Sequence, residues 1–358
     1  MADYLDRPVS DLHVVDTIPL PTPAEFEAEL PIPPAVLETV VRGRREIEEI
    51  LSGNDDRLLL VAGPCSIHDE RSAMEYAQRL AALAREVEDR MLVVMRVYFE
   101  KPRTTVGWKG LIYDPDLDGS FDIDAGLRRA RRLLIEIGGL GLPAGTEFLD
   151  PIAPQYLADL ISWVGVGART TESQTHRQMA SGLSMPVGFK NSTDGNIEVA
   201  VNGLLSAREP HAFLGIDREG RTCTVQTSGN PYGHIVLRGG SDGPNFDAES
   251  VRATHEQLEA AGLAPTVLVD CSHANSSKDH RRQSIAFRDV IAQRAAGNRG
   301  IIGLMLESHL NEGNQSLGDD VSALRYGVSI TDACIGWDET VELLREAAVT
   351  LAPVAATA

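Results

Sequence analysis

The sequence has little of several features that would assign the protein to a common class. Its four cysteines are far apart and match no disulfide framework, which favours a cytoplasmic chain with reduced thiols. No apolar run approaches the roughly 18 residues of a membrane helix, and the N-terminus lacks the basic and apolar regions of a signal peptide. Basic residues are also scarce: 33 Lys and Arg against 52 Asp and Glu leave a net charge of −19, which argues against nucleic acid as a partner.

Apolar, strand-like runs alternate with segments of helical periodicity through most of the chain. Apolar strands joined through helices indicate a parallel sheet, and eight such units in about 300 residues predict a closed (β/α)8 TIM barrel. No GxGxxG follows the first run, which weakens a dinucleotide-binding interpretation further. The eight predicted strands are Leu58–Ala62, Leu92–Val97, Ala144–Leu149, Val164–Ala168, Val187–Phe189, Ile235–Leu237, Thr266–Val269 and Ile301–Leu306.

Two segments do not fit the barrel repeat. Residues 1–52 are predicted to form an N-terminal unit for assembly or regulation, with a proline-rich extended arm that packs on the body or on a neighbouring subunit and then a charged helix; a disordered tail is the alternative. Within the barrel domain, 53–358, residues 211–229 are predicted to form an inserted β-hairpin before strand six, with its turn at Asp217–Gly220. Such an insertion serves regulation or assembly, or is a neutral decoration.

The stretch Arg96–Gly110 changes abruptly from apolar to cationic, with four positive charges against Glu100 alone. Clustered cations repel one another, so in an acidic protein this cluster indicates an anion site; a solvated loop is the alternative. Pro102 and the Thr104–Thr105 pair count against the solvated loop, because they stiffen the segment and add hydroxyl donors.

Functional groups of a TIM barrel lie at the C-terminal ends of its strands. Cations that follow these strand ends would repel one another on one rim without a polyanionic ligand, although any one alone is typical of a surface charge. Arginine suits bidentate recognition of phosphate and carboxylate. The rim cations are Arg96, Lys101, Arg103, Arg169, Lys190 and Arg238.

A second group at the strand ends combines a thiol, an imidazole and carboxylates. Cys65, His273, Glu307 and Asp332 are a mixed ligand set that suits Mn, Fe, Co or Zn. No CxxC or HExxH supports the assignment. The alternatives are a small buried hydrophobe for Cys65 and a satisfied polar side chain for His273.

Eight motifs, in order from about residue 35 to 350, resemble class I 3-deoxy-D-arabino-heptulosonate 7-phosphate (DAHP) synthases. They are GPCSIHD (63–69), KPRTTVGWKG (101–110), GARTTES (167–173), PVGFKN (186–191), SGNPYGHIVLRGG (228–240), DCSHANSSK (270–278), ESHLNEGNQS (307–316) and SITDACIGW (329–337). The resemblance implies a TIM-barrel enzyme that condenses phosphoenolpyruvate with erythrose 4-phosphate, releases phosphate and opens the shikimate pathway.

The resemblance also implies residue roles. The four mixed ligands would hold a divalent metal, Mn²⁺ before Fe²⁺, Co²⁺ or Zn²⁺, and Cys65, His273 and Asp332 count as catalytic. Lys101 is predicted to protonate the developing alkoxide, because an ammonium among cations has reason to release a proton. Substrate contacts are implied for Arg169 and Arg238 (phosphoenolpyruvate phosphate), Arg96, Lys101 and Lys190 (its carboxylate), Arg103 and Thr104 (sugar phosphate), and Glu147.

The N-terminal arm and the hairpin resemble those of feedback-inhibited members, which are homodimers or homotetramers. Gly215 has no side chain and leaves room for a phenol hydroxyl, so tyrosine is the predicted inhibitor rather than phenylalanine. The residues that match the inhibitor pocket are Phe148, Gln155, Met179, Leu183, Ser184, Phe213, Gly215 and Val225.

Three alternatives remain at this point. A sister enzyme would use another aldose phosphate, such as arabinose 5-phosphate. A Schiff-base aldolase would use Lys190 as its nucleophile. A catalytically inactive barrel would serve as a regulatory or scaffold subunit.

Overall fold

The computed structural model describes residues 9–318 and 320–352, and these contain a closed barrel of parallel strands. Around the barrel the order is β1, β2, β3, β4, β5, β8, β9, β10 and back to β1, which confirms the predicted (β/α)8 fold. The barrel strands are β1 (Leu58–Gly63), β2 (Met91–Arg96), β3 (Ala144–Glu147), β4 (Trp163–Val166), β5 (Val187–Lys190), β8 (Gly233–Leu237), β9 (Val267–Asp270) and β10 (Ile301–Glu307), while β6 (Ala212–Ile216) and β7 (Thr222–Gln226) pair separately.

Helices connect the strands and cover the barrel. Asp69 caps α3, because its side chain accepts hydrogen bonds from the backbone N–H groups of Arg71 and Ser72. No helix within the described ranges is both long and apolar enough to cross a membrane. The helices are α1 (Pro23–Glu29), α2 (Pro34–Leu51), α3 (Glu70–Val87), α4 (Ile123–Gly139), α5 (Pro154–Leu157), α6 (Gln174–Gly182), α7 (Glu198–Arg208), α8 (Ala248–Ala260), α9 (Gln283–Ala295) and α10 (Trp337–Thr350).

Every residue of β1, β2 and β10 is buried, because one face of each strand points into the barrel and the other packs against helices. Ile47 and Ile50 of α2 belong to the inner cluster, so this helix closes the end of the barrel opposite the strands' C-termini. The other fully or nearly fully buried members are Leu59, Val61, Leu92, Val94, Trp163, Val236, Leu268, Ile302 and Met305.

The N-terminal segment packs on the body of its own chain. Phe26 of α1 lies edge-on to Tyr156, with ring centroids 5.4 Å apart, and the Tyr156 hydroxyl donates to the Pro21 carbonyl over 2.9 Å. The prediction of an arm extended throughout is therefore wrong over Pro23–Glu29. A capping box formed by Thr22 and Glu25 starts α1 there. Residues 1–8 of the predicted arm lie outside the described residues.

The predicted hairpin is present as β6 and β7, with Phe213 opposite Val225. Gly220 ends the turn at φ +73°, a left-handed conformation that favours glycine, and its N–H donates to the Asp217 carbonyl over 3.0 Å. The backbone N–H of Ala24 donates to the Arg218 carbonyl over 2.8 Å. The hairpin turn is thus attached to the segment that carries α1.

Candidate active site

The C-terminal ends of the barrel strands surround a cavity of about 640 Å³. All the predicted substrate-contacting residues line it, together with His273, Glu307 and Asp332. The barrel topology accounts for this convergence, since side chains at the ends of parallel strands meet at one mouth. The predicted substrate-contacting residues on this surface are Arg96, Lys101, Arg103, Thr104, Glu147, Arg169, Lys190 and Arg238.

Three of the four predicted metal ligands lie together. One ligand atom from each of Cys65, Glu307 and Asp332 lies within 4.8 Å of the others, and within the described ranges no second group of this kind occurs. Strand pairing explains part of the arrangement: Gly63 of β1 is in register with Glu307 of β10, which places Cys65 just beyond that carboxylate. The Cys65 thiol donates to Asp332 Oδ2 over 3.6 Å.

His273, the fourth predicted ligand, lines the same cavity but is not within this 4.8 Å group. Its Nε2 accepts a hydrogen bond from the Lys190 ammonium over 3.2 Å. The backbone of His273 is left-handed, with φ +57°, which is uncommon for a residue with a side chain. Sparse backbone conformations of this kind cluster at functional sites.

The protonation of these groups fits a divalent cation. Burial lowers the pKa of His273 to about 4, so the imidazole is neutral near pH 7, which is the form that ligates a metal. Burial and the neighbouring Glu307 raise the pKa of Cys65 to about 11, despite the opposing effect of Lys101. Burial also acts to raise the pKa of Asp332, but Lys101 and His273 outweigh it and the net pKa is lowered. A soft thiolate beside two carboxylates and an imidazole is a donor set for a first-row transition metal.

Arg96 is buried beneath this group, with 1% of its surface exposed. Its guanidinium donates to Glu307 Oε1 over 3.0 Å and to the Cys65 carbonyl over 3.2 Å, and it lies 3.5 Å from the Tyr98 ring centroid. Arg96 lines the cavity with the other rim cations, but its charge is matched by Glu307. Arg96 holds two candidate metal ligands in place.

Lys101 lies half-buried beside the same ligands, and its Nζ donates to Cys65 Sγ over 3.1 Å. Burial acts to lower the pKa of Lys101, but Cys65 and Glu307 outweigh it and raise the pKa. From the sequence, repulsion among cations is expected to lower the pKa of Lys101. The structure shows the opposite effect, because Cys65 and Glu307 lie beside the ammonium and raise its pKa.

Of the remaining cations, Lys190 is buried and the others lie nearer the opening. Arg103, Thr104 and Arg169 are exposed, and the Arg169 guanidinium donates to Thr104 Oγ1 over 3.2 Å. Burial lowers the pKa of Arg238, and Arg169 lowers it further against the opposing effect of Asp270. Two guanidinium groups that repel each other at one mouth are suited to a shared anion. Lys109 does not line the cavity.

The family model for the DAHP synthetase I family matches residues 32–345, which is most of the chain. The chain belongs to the DAHP synthetase I family. It is 55% identical to the Tyr-sensitive phospho-2-dehydro-3-deoxyheptonate aldolase of Escherichia coli, over 94% of this chain and 95% of that one. It is equally 55% identical to the Phe-sensitive enzyme of the same organism, over 94% and 96%. A solved phospho-2-dehydro-3-deoxyheptonate aldolase from Francisella tularensis superposes with a TM-score of 0.92, at 46% identity over 94% and 98% of the two chains.

Several cavity residues of this DAHP synthetase I family member were not among the sequence candidates. Lys278, His280, Gln283 and Asn314 all line the cavity. Asp270 lies beneath it, fully buried, and accepts from the Lys190 ammonium over 2.7 Å. Asp270 is the last residue of β9, and the rule that selected Glu307 and Glu147 at the ends of their strands could have selected it too.

The predicted inhibitor-pocket residues are spread over several places. Phe213, Gly215 and Val225 lie on the half-buried face of the hairpin, and Phe148 and Met179 are buried. Leu183 and Ser184 follow the end of α6, which meets the hairpin where Ser181 and Thr227 share a hydrogen bond of 2.7 Å. Of the eight, only Gln155 lines the second cleft, of about 550 Å³, between α1, α4 and α5.

Proposed function

We propose that this protein condenses phosphoenolpyruvate with erythrose 4-phosphate, with consumption of one water that attacks C2 of the enol phosphate, to give DAHP and inorganic phosphate, the first step of the shikimate pathway. The observation that carries the proposal is the cavity itself, in which cations from β2, β4, β5 and β8 surround the Cys65, Glu307 and Asp332 group. Membership of the DAHP synthetase I family and the names of the relatives agree with it.

The two substrates are both phosphorylated anions, and their mutual repulsion is the first barrier to reaction. Arg169 and Arg238 hold the phosphate of phosphoenolpyruvate, with Lys190 and Lys101 at its carboxylate. Arg103 and Thr104, exposed at the opening, hold the sugar phosphate. This arrangement neutralises both anions and sets the approach of C3 of the enol phosphate to the aldehyde carbon.

Cys65, His273, Glu307 and Asp332 are the residues that would hold a divalent ion, with Mn²⁺ the proposed metal. When bound, the ion supplies a Lewis acid near the aldehyde oxygen. Arg96 fixes the Glu307 carboxylate and the Cys65 backbone, so these ligands are preorganised.

Lys101 is the proposed proton donor to the alkoxide that forms as the new C–C bond closes. Cys65 and Glu307 raise its pKa, so a cation bound beside those ligands would lower the pKa again. Glu147 lines the cavity, and its Oε1 is buried and accepts no hydrogen bond within the described ranges. We assign it to substrate binding.

Feedback inhibition by an aromatic amino acid, tyrosine before phenylalanine, is part of the proposal. The hairpin and its contact with α6 support it, and so do the names of the Tyr-sensitive and Phe-sensitive relatives. The chain is 55% identical to each of these two relatives, so sequence identity does not decide between tyrosine and phenylalanine as the inhibitor. Assembly as a homodimer or homotetramer, a role of residues 1–52 in that assembly, and a cytoplasmic location remain predictions.

A product assay with alternative sugars tests the substrate assignment. With erythrose 4-phosphate we expect DAHP by mass spectrometry, and with arabinose 5-phosphate little or none; preference for arabinose 5-phosphate would contradict the proposal. Borohydride added with erythrose 4-phosphate, the substrate that has an aldehyde, should trap no adduct on Lys190, because this ammonium is paired with buried Asp270 at 2.7 Å.

A further inference from the structure

Asp270 is a fully buried carboxylate at the end of β9, directly beneath the proposed active site. Ionised groups buried away from water are costly unless they are paired and hydrogen-bonded. Its role in the reaction is not accounted for by the substrate and metal assignments above. The pattern of its contacts indicates what the carboxylate does.

The two oxygens of Asp270 have separate partners. Oδ1 accepts from the backbone N–H of Ser272 over 3.0 Å and from its hydroxyl over 2.6 Å. Oδ2 accepts from the Lys190 ammonium over 2.7 Å and lies 3.4 Å from His273 Nε2. Ser272 therefore fixes the rotation of the carboxylate, and the other oxygen faces two functional side chains at once.

The backbone around Asp270 is held as firmly as the side chain. Asp270 is in register with Met305 of β10, and its carbonyl accepts from the Asn275 side chain over 2.8 Å. Asn275 also donates to the Leu237 carbonyl of β8 over 3.1 Å. The carboxylate thus stands on a rigid part of the barrel, which is what a side chain that orients others requires.

We propose that Asp270 is a positioning residue that fixes the Lys190 ammonium, which in turn donates to His273 Nε2, and so couples the phosphoenolpyruvate side of the site to the metal side. The inference rests on the proposed function, because Lys190 and His273 take their roles from it. Asp270 does not line the cavity. It orients Lys190, which contacts His273, and removing it should weaken both binding events together while leaving the sugar phosphate site, Arg103 and Thr104, unaffected.

The test is Asp270→Asn, which keeps the shape of the side chain and removes its charge. Outer-shell partners of metal ligands typically contribute 10- to 100-fold, so Mn²⁺ bound to the substrate-free protein, titrated by electron paramagnetic resonance, should weaken by at least about tenfold. KM for phosphoenolpyruvate should rise by a similar factor, with KM for erythrose 4-phosphate changed by no more than about twofold. Asp279→Asn is the matched control, since it neutralises an exposed carboxylate of the same loop that pairs with Arg281.

The outcomes separate the inference from the proposed function. A folded Asp270→Asn protein with wild-type Mn²⁺ affinity and wild-type KM for phosphoenolpyruvate overturns the inference, whatever its turnover. Wild-type protein that binds Mn²⁺ but consumes neither substrate would overturn the proposed function. The Mn²⁺ affinities of the wild type and Asp270→Asn could still be compared in that case. Equal increases in both KM values would also count against Asp270, since they indicate general distortion.

Asp270→Asn leaves Lys190 as a buried charge without a counter-charge, so the single variant is at risk of not folding. Lys190→Gln/Asp270→Asn removes both charges together and avoids that penalty. The double variant also lacks the ammonium that contacts His273 Nε2, so we expect weakened Mn²⁺ binding from it as well. Wild-type Mn²⁺ affinity in a folded double variant would overturn the inference.

Discussion

Lys101 and Lys109 lie on the same loop, but only Lys101 reaches the cavity. Their backbones are joined, since the Lys101 N–H donates to the Lys109 carbonyl over 2.8 Å. Substituting each lysine in turn therefore changes a charge on the same loop, either next to Cys65 or away from it.

Lys101→Met should lose most turnover while keeping its metal. The ammonium is the proposed proton donor, and general acid catalysis typically contributes about 10²- to 10⁴-fold to the rate, so kcat should fall by that order. Lys109→Met is the control and should stay near wild type. The measurements are kcat and bound Mn²⁺; near-normal turnover of Lys101→Met would reject the assignment.

Metal binding should release about one proton near pH 7.5, because a thiolate is the ligand form of Cys65. The pKa of Cys65 is raised to about 11, so the thiol is protonated before binding, whereas His273 with a pKa of about 4 and Asp332 with a lowered pKa have already lost theirs. Apparent affinity should therefore fall as pH falls. Calorimetry of Mn²⁺ binding in buffers of different ionisation enthalpy counts the protons, and Cys65→Ala should release none. Binding by the wild type without proton release would contradict a thiolate ligand.

At the scale of elements, the hairpin β6–β7 carries the prediction about inhibitor choice. A Cβ placed on Gly215 would lie 2.7 Å from Val225 Cγ2, so any side chain there must displace Val225 on the same face. Gly215→Ala should therefore weaken inhibition by tyrosine while kcat is kept, because the hairpin contributes no residue to the active-site cavity.

Leu214→Ala is the control for that change, since Leu214 is on the opposite face with 82% of its surface exposed. The measurement is the tyrosine concentration that halves activity for wild type and both variants. Inhibition of the wild type by phenylalanine alone would reverse the choice of inhibitor. Unaltered tyrosine inhibition of Gly215→Ala would place the inhibitor elsewhere.

Strand β8 carries a buried histidine whose protonation opposes folding. His234 is fully buried and its Nε2 accepts from Trp163 Nε1 over 3.2 Å. Burial lowers its pKa from about 6.5 to about 3. The unfolded chain therefore binds a proton that the folded chain excludes, so the stabilisation is complete above pH 6.5 and is lost progressively as pH falls towards 3.

His234→Gln keeps an acceptor for Trp163 and removes the titration. Its thermal midpoint should fall less between pH 7 and pH 4 than that of the wild type, with each unit of pKa shift worth about 1.4 kcal/mol. His13→Gln, at an exposed site, is the control and should follow the wild type. Parallel curves for wild type and His234→Gln would show that His234 does not contribute to acid sensitivity.

At the scale of the whole molecule, the barrel could be predicted because its strands are continuous apolar runs, and the strand-end rule then located most of the site. What the chain order could not show was which strand ends are neighbours. β1 lies between β2 and β10, so Arg96 reaches Glu307 and its charge is neutralised there. From the sequence, Arg96 is assigned to the rim cations and Glu307 to the metal ligands, with no contact predicted between them. The same holds for Asp270, whose partner Lys190 comes from β5, on the far side of β8.

Helix α1 was missed for a different reason. The prolines of the N-terminal segment favoured an extended arm, but Thr22, Pro23 and Glu25 form a capping box with proline in the first helical turn. That signal was present in the sequence. The contacts that stabilise so short a helix, Phe26 on Tyr156 and Arg131 donating to the Leu30 carbonyl over 2.8 Å, join residues far apart in the chain and needed the structure.

The most direct test of the central claim is phosphate release by the purified protein from phosphoenolpyruvate, with and without erythrose 4-phosphate and with and without chelator. The cavity is lined by cations around Cys65, Glu307 and Asp332. We therefore expect phosphate release only when both substrates are present, loss of that release in chelator, and recovery on adding Mn²⁺. Full turnover in chelator would contradict the metal site. No phosphate release with both substrates and Mn²⁺ present would contradict the function.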